Sequence, residues 1–133
     1  MSADGVTYLD SSALVRLVVS EPESEALTAY LAKRRARASC ALARAEVPRA
    51  ARVNSTAAVP RALALLEDIA LVGLDDALLD RAAALGDPVL RTLDAIHVAA
   101  AERLGDDLGE LITYDRRMAA AASDLGLTVV APA

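Results

Sequence analysis

Short apolar runs separated by longer stretches of helical period set the rhythm of this chain. Val6 to Leu9 is a β-favouring run that stops at Asp10, and SSALVRLVV then places Leu14, Leu17 and Val18 at helical spacing, which predicts a strand feeding a short helix. In SEPESEALTAYLAKRR, Ser20 stands as an N-cap, Pro22 falls in the first turn, and Glu21, Glu23 and Glu25 suit the positive end of a helix dipole, so a helix is expected to about Arg34. Ala36 to Cys40 reads as a strand, followed from about Ala41 by an Ala-rich helix that holds Glu46 and Pro48. The proline has to lie in the first turns of that helix or kink it.

A further helix is expected over Ala57 to Asp68, with Pro60 near its start, and then a buried strand in IALVGL. Asp75 and Asp76 open the next helix, GDPV is a loop, Thr92 stands as an N-cap, and LDAIHVAAAERLG is a helix closed by Gly105. Apolar residues cover more than one face of this helix, which suits a position at the centre of a domain. ELITY is the next strand, DRRMAAAASDLG the last long helix and LTVVAP a terminal strand. Strands separated by helices imply an α/β fold, a mainly parallel sheet with helices on both faces. Ligands in such sheets bind beyond the carboxyl ends of the strands, where Asp10 and Asp115 both fall. No internal repeat or interdomain linker is evident, and 133 residues suit a single domain spanning 1–133.

Composition narrows the classes. Hydrophobic residues make up 55% of the chain and mean hydropathy is +0.34, yet no run of 18 apolar residues occurs, and MSADGVTYLD lacks a basic region followed by an apolar stretch. A soluble, cytoplasmic protein with no membrane partner is expected. Cys40 is the single cysteine, so no internal disulfide forms, and ARASCALA suits a small buried residue at a strand end. The net charge of −5 is unevenly spread. Lys33, Arg34, Arg35, Arg37, Arg44, Arg49, Arg52 and Arg61 face only Glu46 in their stretch, whereas Ala62 to Glu110 is strongly acidic. Such segregation permits a basic surface on an acidic protein, although the same arginines also serve as solvated helix faces or pair with nearby acids.

Four acids change the picture most: Asp10, Glu46, Asp94 and Asp115 all stand at strand-to-helix junctions or within otherwise apolar helices. A carboxylate in apolar sequence costs free energy unless a hydrogen bond, a cation or a metal compensates it. Asp10 and Asp115 are explicable as N-caps, and Asp94 as a residue offsetting its helix dipole. Glu46, among Ala43, Ala45, Val47 and Ala50, is hardest to explain in that way. Carboxylates brought to about 4 Å repel by roughly 4 kcal/mol at an effective dielectric near 20, a penalty that a bound cation removes. Oxygen-only ligands select Mg²⁺ or Mn²⁺ over zinc, and His97 and Cys40 offer no zinc spacing. His97, three residues after Asp94, invites a catalytic reading, but Ile96 and Val98 favour a packed or hydrogen-bonded structural histidine. Ser11 and Ser12 cap a helix or orient a metal-bound water. No phosphate-cradling Gly-rich loop and no nucleophile elbow occur.

YLDSSALVRL, EPESEAL, the Glu46 helix, LRTLDAIHVAAA, LITYDRRMAAAASDLG and the terminal VVAP together resemble the PIN-domain family, and within it the VapC-type toxin ribonucleases. The resemblance spans nearly the whole chain. It implies a three-layer α/β/α sandwich and a metal-dependent endoribonuclease, held inactive by a cognate VapB-like antitoxin and assembling as a homodimer. Asp10, Glu46, Asp94 and Asp115 match the family's acidic quartet, with the three aspartates on Mg²⁺ or Mn²⁺ directly or through water and Glu46 completing the site or placing a water. Ser12 and Thr113 match its small hydroxyl positions. Arg44, Arg49 and Arg52 share the helix of Glu46 and make a candidate RNA path. With Tyr8, Tyr30 and Tyr114 as the only aromatic residues, RNA shape and backbone contacts are expected to outweigh base stacking. A receiver domain would need a late lysine, but Lys33 is the only one; an Asp-nucleophile phosphatase would need a second Asp where Ser12 stands. The remaining rival is a catalytically silent binding module whose acids receive an Arg or Lys from a partner.

Overall fold

The computed structural model describes residues 5–86 and 88–133, so the first four residues and Asp87 of the GDPV loop lie outside the described residues. Among the described residues, strands β1 (Val6–Leu9), β2 (Arg37–Cys40), β3 (Ala70–Val72), β4 (Leu108–Ile112) and β5 (Val129–Val130) form one sheet in the order β3-β2-β1-β4-β5. Every pairing is parallel, which obliges the chain to return over the faces of the sheet between strands. The helices that do so are α1 (Ser11–Arg16), α2 (Ser24–Leu31), α3 (Ala43–Asn54), α4 (Val59–Glu67), α5 (Asp76–Ala83), α6 (Thr92–Arg103) and α7 (Arg116–Asp124).

Successive residues of a strand point to opposite faces, and the central strands accordingly feed two cores. Leu9 and Ile112 join Leu14, Leu27, Val47, Ala51 and Leu66 from α1 to α4. Tyr8 and Leu111 join Leu78, Val98, Ala99, Met118 and Ala122 from α5, α6 and α7. Helices therefore cover both faces, and the architecture is the α/β/α sandwich that strand-helix alternation predicts. Seven consecutive residues of α6, Ala95 to Ala101, are buried. Four of them are alanine, which lets this helix pack closely against β2 and β4 on one face and against α5 and α7 on the others.

Chain order places the site. From β1 the chain builds outward through β2 and β3, then crosses to add β4 and β5 on the other side. The carboxyl-end crevice between β1 and β4 is thus the point where strand order reverses, the preferred ligand position of an open parallel sheet. Leu9 is in register with Ile112, and the Asp10 N–H donates to the Ile112 carbonyl at 3.2 Å. The residues that follow these two strands therefore emerge side by side. At the opposite end Gly5 meets Gly109: a Cβ on Gly5 would stand 2.8 Å from the Gly109 nitrogen, where the β1–β4 register shifts between Val6 and Thr7.

Local boundaries differ from the sequence pattern in instructive ways. The α2 helix begins at Ser24 and ends at Leu31 instead of running from Ser20 to Arg34. Ser24 Oγ accepts the Glu21 N–H and donates to the Val19 carbonyl, so Ser24 organises this turn and Pro22 precedes the helix. Thr92 is the first residue of α6 and not its cap; Arg91 occupies the cap position without a side-chain bond. Pro48 lies in the second turn of α3. IALVGL yields only a three-residue edge strand with Ala70 exposed, because β3 has a neighbour on one side alone. ELITY starts earlier than expected, at Leu108, and stops at Ile112, which frees Thr113 and Tyr114 to enter the crevice.

Candidate active site

Asp10 leaves β1 and caps α1. Its Oδ1 accepts the Ala13 N–H at 2.9 Å and the Ser12 hydroxyl at 2.7 Å, while Oδ2 accepts the Thr113 hydroxyl at 2.6 Å. Each hydroxyl is fixed in turn by a backbone donor: Ser12 Oγ accepts the Tyr114 N–H from across the crevice at 3.2 Å, and Thr113 Oγ1 accepts the Asp115 N–H of its own segment at 3.1 Å. Asp10 is only 2% exposed. Burial pushes its carboxyl above the usual range, against the pull of the bonds from Thr113, Ser12 and Ala13.

Asp115 caps α7, its Oδ1 accepting the Arg117 and Met118 N–H groups at 2.9 and 3.0 Å. Asp94, in the first turn of α6, is half-buried and makes no hydrogen bond among the described residues. Burial first, then the charges of Asp115 and Asp10, push its carboxyl up, with His97 and Arg91 opposing. Asp115 and Asp10 therefore both act on Asp94, and each of the three stands at a helix N-terminus whose dipole favours negative charge.

Glu46 stands somewhat apart. Its Oε1 accepts the Ser11 hydroxyl at 2.6 Å and lies 2.9 Å from His97 Nε2. Burial raises this carboxyl, but the bonds from His97 and Ser11 outweigh it and hold it below the usual range. His97 is 1% exposed, with Nδ1 at 2.8 Å from the Tyr8 hydroxyl and 3.6 Å from Cys40 Sγ. Burial opposes an imidazolium there, yet Cys40, Glu46 and Asp10 together push the ring up to about 10. Cys40 is itself fully buried, as its sequence setting suggests.

Residues 7–124 match the PIN domain family. The chain belongs to the PIN-domain family. It is 53% identical over 125 residues to Ribonuclease VapC46 of Mycobacterium tuberculosis, spanning 94% of this chain and 96% of that protein. From the same organism, Ribonuclease VapC35 is 40% identical over 129 residues and Ribonuclease VapC47 33% identical over 130, with the same coverage.

In this PIN domain, among the described residues, no three His, Cys, Asp or Glu side chains are gathered closely enough to hold a metal ion by themselves. The donor set nonetheless suits a hard cation: all oxygen, mutually repelling, and with one carboxylate lacking any donor. Mg²⁺ retains several waters and needs only one or two protein carboxylates, so the arrangement fits a largely hydrated ion better than an all-protein cage. No helix of the described residues is long and apolar enough to cross a membrane.

The arginines sort by geometry. Arg49 is one turn from Glu46 and shares its side of α3, and Arg52 lies a turn further; both are exposed and without ion pairs among the described residues. Arg44, two residues before Glu46, is exposed and lines a hollow with Leu63, Leu66 and Glu67 of α4. Two arginines that the pattern reading passed over flank the aspartates: Arg91 precedes α6 and bears on Asp94, and Arg116 follows Asp115 in an open pocket lined by Thr113, Tyr114 and Glu23. Both fall outside the basic stretch, so charge counting along the chain does not find them; adjacency to the acids does. A larger cleft between α1 and α2, about 640 Å³, includes none of the four acids.

Proposed function

We propose that this protein is a VapC-type endoribonuclease toxin that hydrolyses RNA phosphodiester bonds in the β1–β4 crevice. What supports the reading is that Asp10 and Asp115 follow neighbouring strands at the strand-order reversal, with Asp94 near enough for both charges to act on it, in a PIN domain that is 53% identical to a protein named Ribonuclease VapC46. Mg²⁺ or Mn²⁺ is the cofactor, held by Asp10, Asp94 and Asp115 directly or through water, with Glu46 completing the site. When bound, such an ion lowers the pKa of a water and offsets negative charge on the phosphoryl oxygens.

The chain's own groups orient the rest. Ser12 and Thr113 hold Asp10 in one rotamer across the crevice, and Glu46, anchored by Ser11 and His97, is placed to position water. Arg49 and Arg52 on one bank and Arg91 and Arg116 on the other neutralise RNA phosphates. The toxin works in the cytoplasm as a homodimer and is neutralised by a VapB-like antitoxin; exposed Val53 and Leu63 on α3 and α4, and Leu79 and Leu93 on α5 and α6, are apolar surface for such partners to cover. The unpartnered carboxylate of Asp94 also supports the second reading, a silent module that receives a partner's arginine there.

Total RNA incubated with purified, antitoxin-free protein separates the two. The enzyme produces discrete fragments with Mg²⁺ or Mn²⁺ that vanish with a chelator and in Asp10→Asn. A folded protein that leaves the RNA intact under both metals favours the binding module.

A further inference from the structure

Histidine 97 is tied into the β1–α1 junction at both ring nitrogens. Tyr8 lies in the central strand, fully buried, with its ring 5.9 Å from the imidazole at 77°, edge to face. Its hydroxyl stands 2.8 Å from Nδ1. On the far side Nε2 is 2.9 Å from Glu46 Oε1, and Ser11 donates to the same oxygen at 2.6 Å while standing 3.2 Å from Nε2. Tyr8 and Ser11 flank Asp10 in sequence. Glu46, carried by α3, is thereby linked through α6 to the segment that presents Asp10.

Protonation does not undo this link. In the neutral ring the Tyr8 hydroxyl donates to Nδ1, which leaves the ring proton on Nε2, aimed at Glu46; in the imidazolium both nitrogens donate, Nδ1 to the Tyr8 oxygen and Nε2 still to Glu46. A histidine needed only to fill a core would not require a carboxylate beside it, and here the buried ring meets a Glu46 side chain that stays partly exposed, 27% against 2% for the His97 side chain. We propose that His97, set by Tyr8, is a positioning residue that fixes the Glu46 carboxylate for the aspartate crevice. The inference rests on the ribonuclease reading for the task that Glu46 then performs.

The chain contains one histidine, so its imidazole resonances are unambiguous. In ¹⁵N–¹H spectra the Nε2–H is expected to be protected from solvent exchange and to shift in Glu46→Ala and Tyr8→Phe; a freely exchanging proton indifferent to Glu46→Ala overturns the proposal whether or not the protein cleaves RNA. In RNA cleavage with saturating Mn²⁺, His97→Leu lowers kcat by about 10–100-fold, the scale for losing an outer partner of a metal-site ligand, with KM little changed. His97→Gln, which returns an N–H near the Nε2 position, restores most of that loss, and His97→Leu adds nothing to Glu46→Gln. Wild-type kcat in His97→Leu, or equal loss in the Gln and Leu variants, overturns the positioning role. Tyr8→Phe retains the ring and decides the matter should His97→Leu not fold: a lowered kcat supports the proposal, an unchanged one contradicts it. Absence of cleavage by the wild type sinks the ribonuclease reading, while the imidazole spectrum still decides whether His97 holds Glu46.

Discussion

Asp94 carries its charge at a cost to the fold. Its carboxyl is raised by burial and by Asp115 and Asp10, and a group raised on folding stabilises the native state below its unfolded pKa of about 4 and loses that contribution as pH rises through the folded value. The metal-free Asp94→Asn variant should therefore melt higher than wild type at pH 7, by under about 1 kcal/mol because solvent screens a half-exposed group. The gain should vanish near pH 4 and on adding Mn²⁺; calorimetry at both pH values checks it. Thr113 acts in the opposite sense. It is 1% exposed and bridges Asp10 and Asp115, so Thr113→Val should lower stability by about 1–3 kcal/mol, the cost of leaving buried polar groups unpaired, read as a drop in urea midpoint. At this scale the location of the acids at strand ends was legible, because a carboxylate that ends an apolar run announces a junction. The partners were not: Tyr8 and His97 are 89 positions apart, and no local pattern pairs them.

Helix α2 shows what an element owes to a distant residue. Glu110, in the middle of β4 and 8% exposed, accepts the Thr7 hydroxyl at 2.7 Å, the Tyr30 hydroxyl at 2.9 Å and Arg34 Nε at 2.9 Å. Arg34 in turn stacks 3.6 Å over the Tyr30 ring and donates to the Tyr30 carbonyl. This cluster ties the end of α2 to the middle of β4 and, through Thr7, to β1. Burial raises the Glu110 carboxyl, but Thr7, Tyr30 and Arg34 bring it below its usual value, so its contribution is present above the unfolded pKa and is lost as pH falls through the folded one. Glu110→Gln should cost about 1–3 kcal/mol at pH 7, with a deficit that narrows below about pH 4, measurable by urea unfolding at pH 7 and 3.5. The role of Glu110 is not legible in ELITY, because its partners Thr7, Tyr30 and Arg34 lie 76 to 103 positions away. The burial of Ala95 to Ala101 in α6 was visible in its apolar circumference, whereas the start of α2 was misplaced because Ser20 and Ser24 offer rival hydroxyls and only the tertiary turn selects between them.

For the whole molecule, the order of the strands matters more than the net charge of −5. Alternating strands and helices made the parallel sandwich legible, but the reversal at β1 that gathers Asp10, Thr113 and Asp115 is a property of strand order, which local periodicity does not encode. Folding also redistributes charge: Arg81 pairs with Glu102 at 2.6 Å and Arg103 with Asp75 at 2.8 Å on the α5–α6 surface, while Arg49 and Arg116 remain exposed near the acids. Arg49→Glu should weaken RNA binding uniformly across sequences and reduce the salt slope by about one counterion, as read from fluorescence anisotropy at several salt concentrations. The most direct test of a metal-assisted ribonuclease in the β1–β4 crevice is the single-turnover cleavage rate of end-labelled RNA as Mn²⁺ is titrated into wild type and into folded Asp94→Asn. Metal-dependent cleavage by the wild type, lost in the variant at every Mn²⁺ concentration, is the predicted result; equal cleavage by both proteins would contradict it.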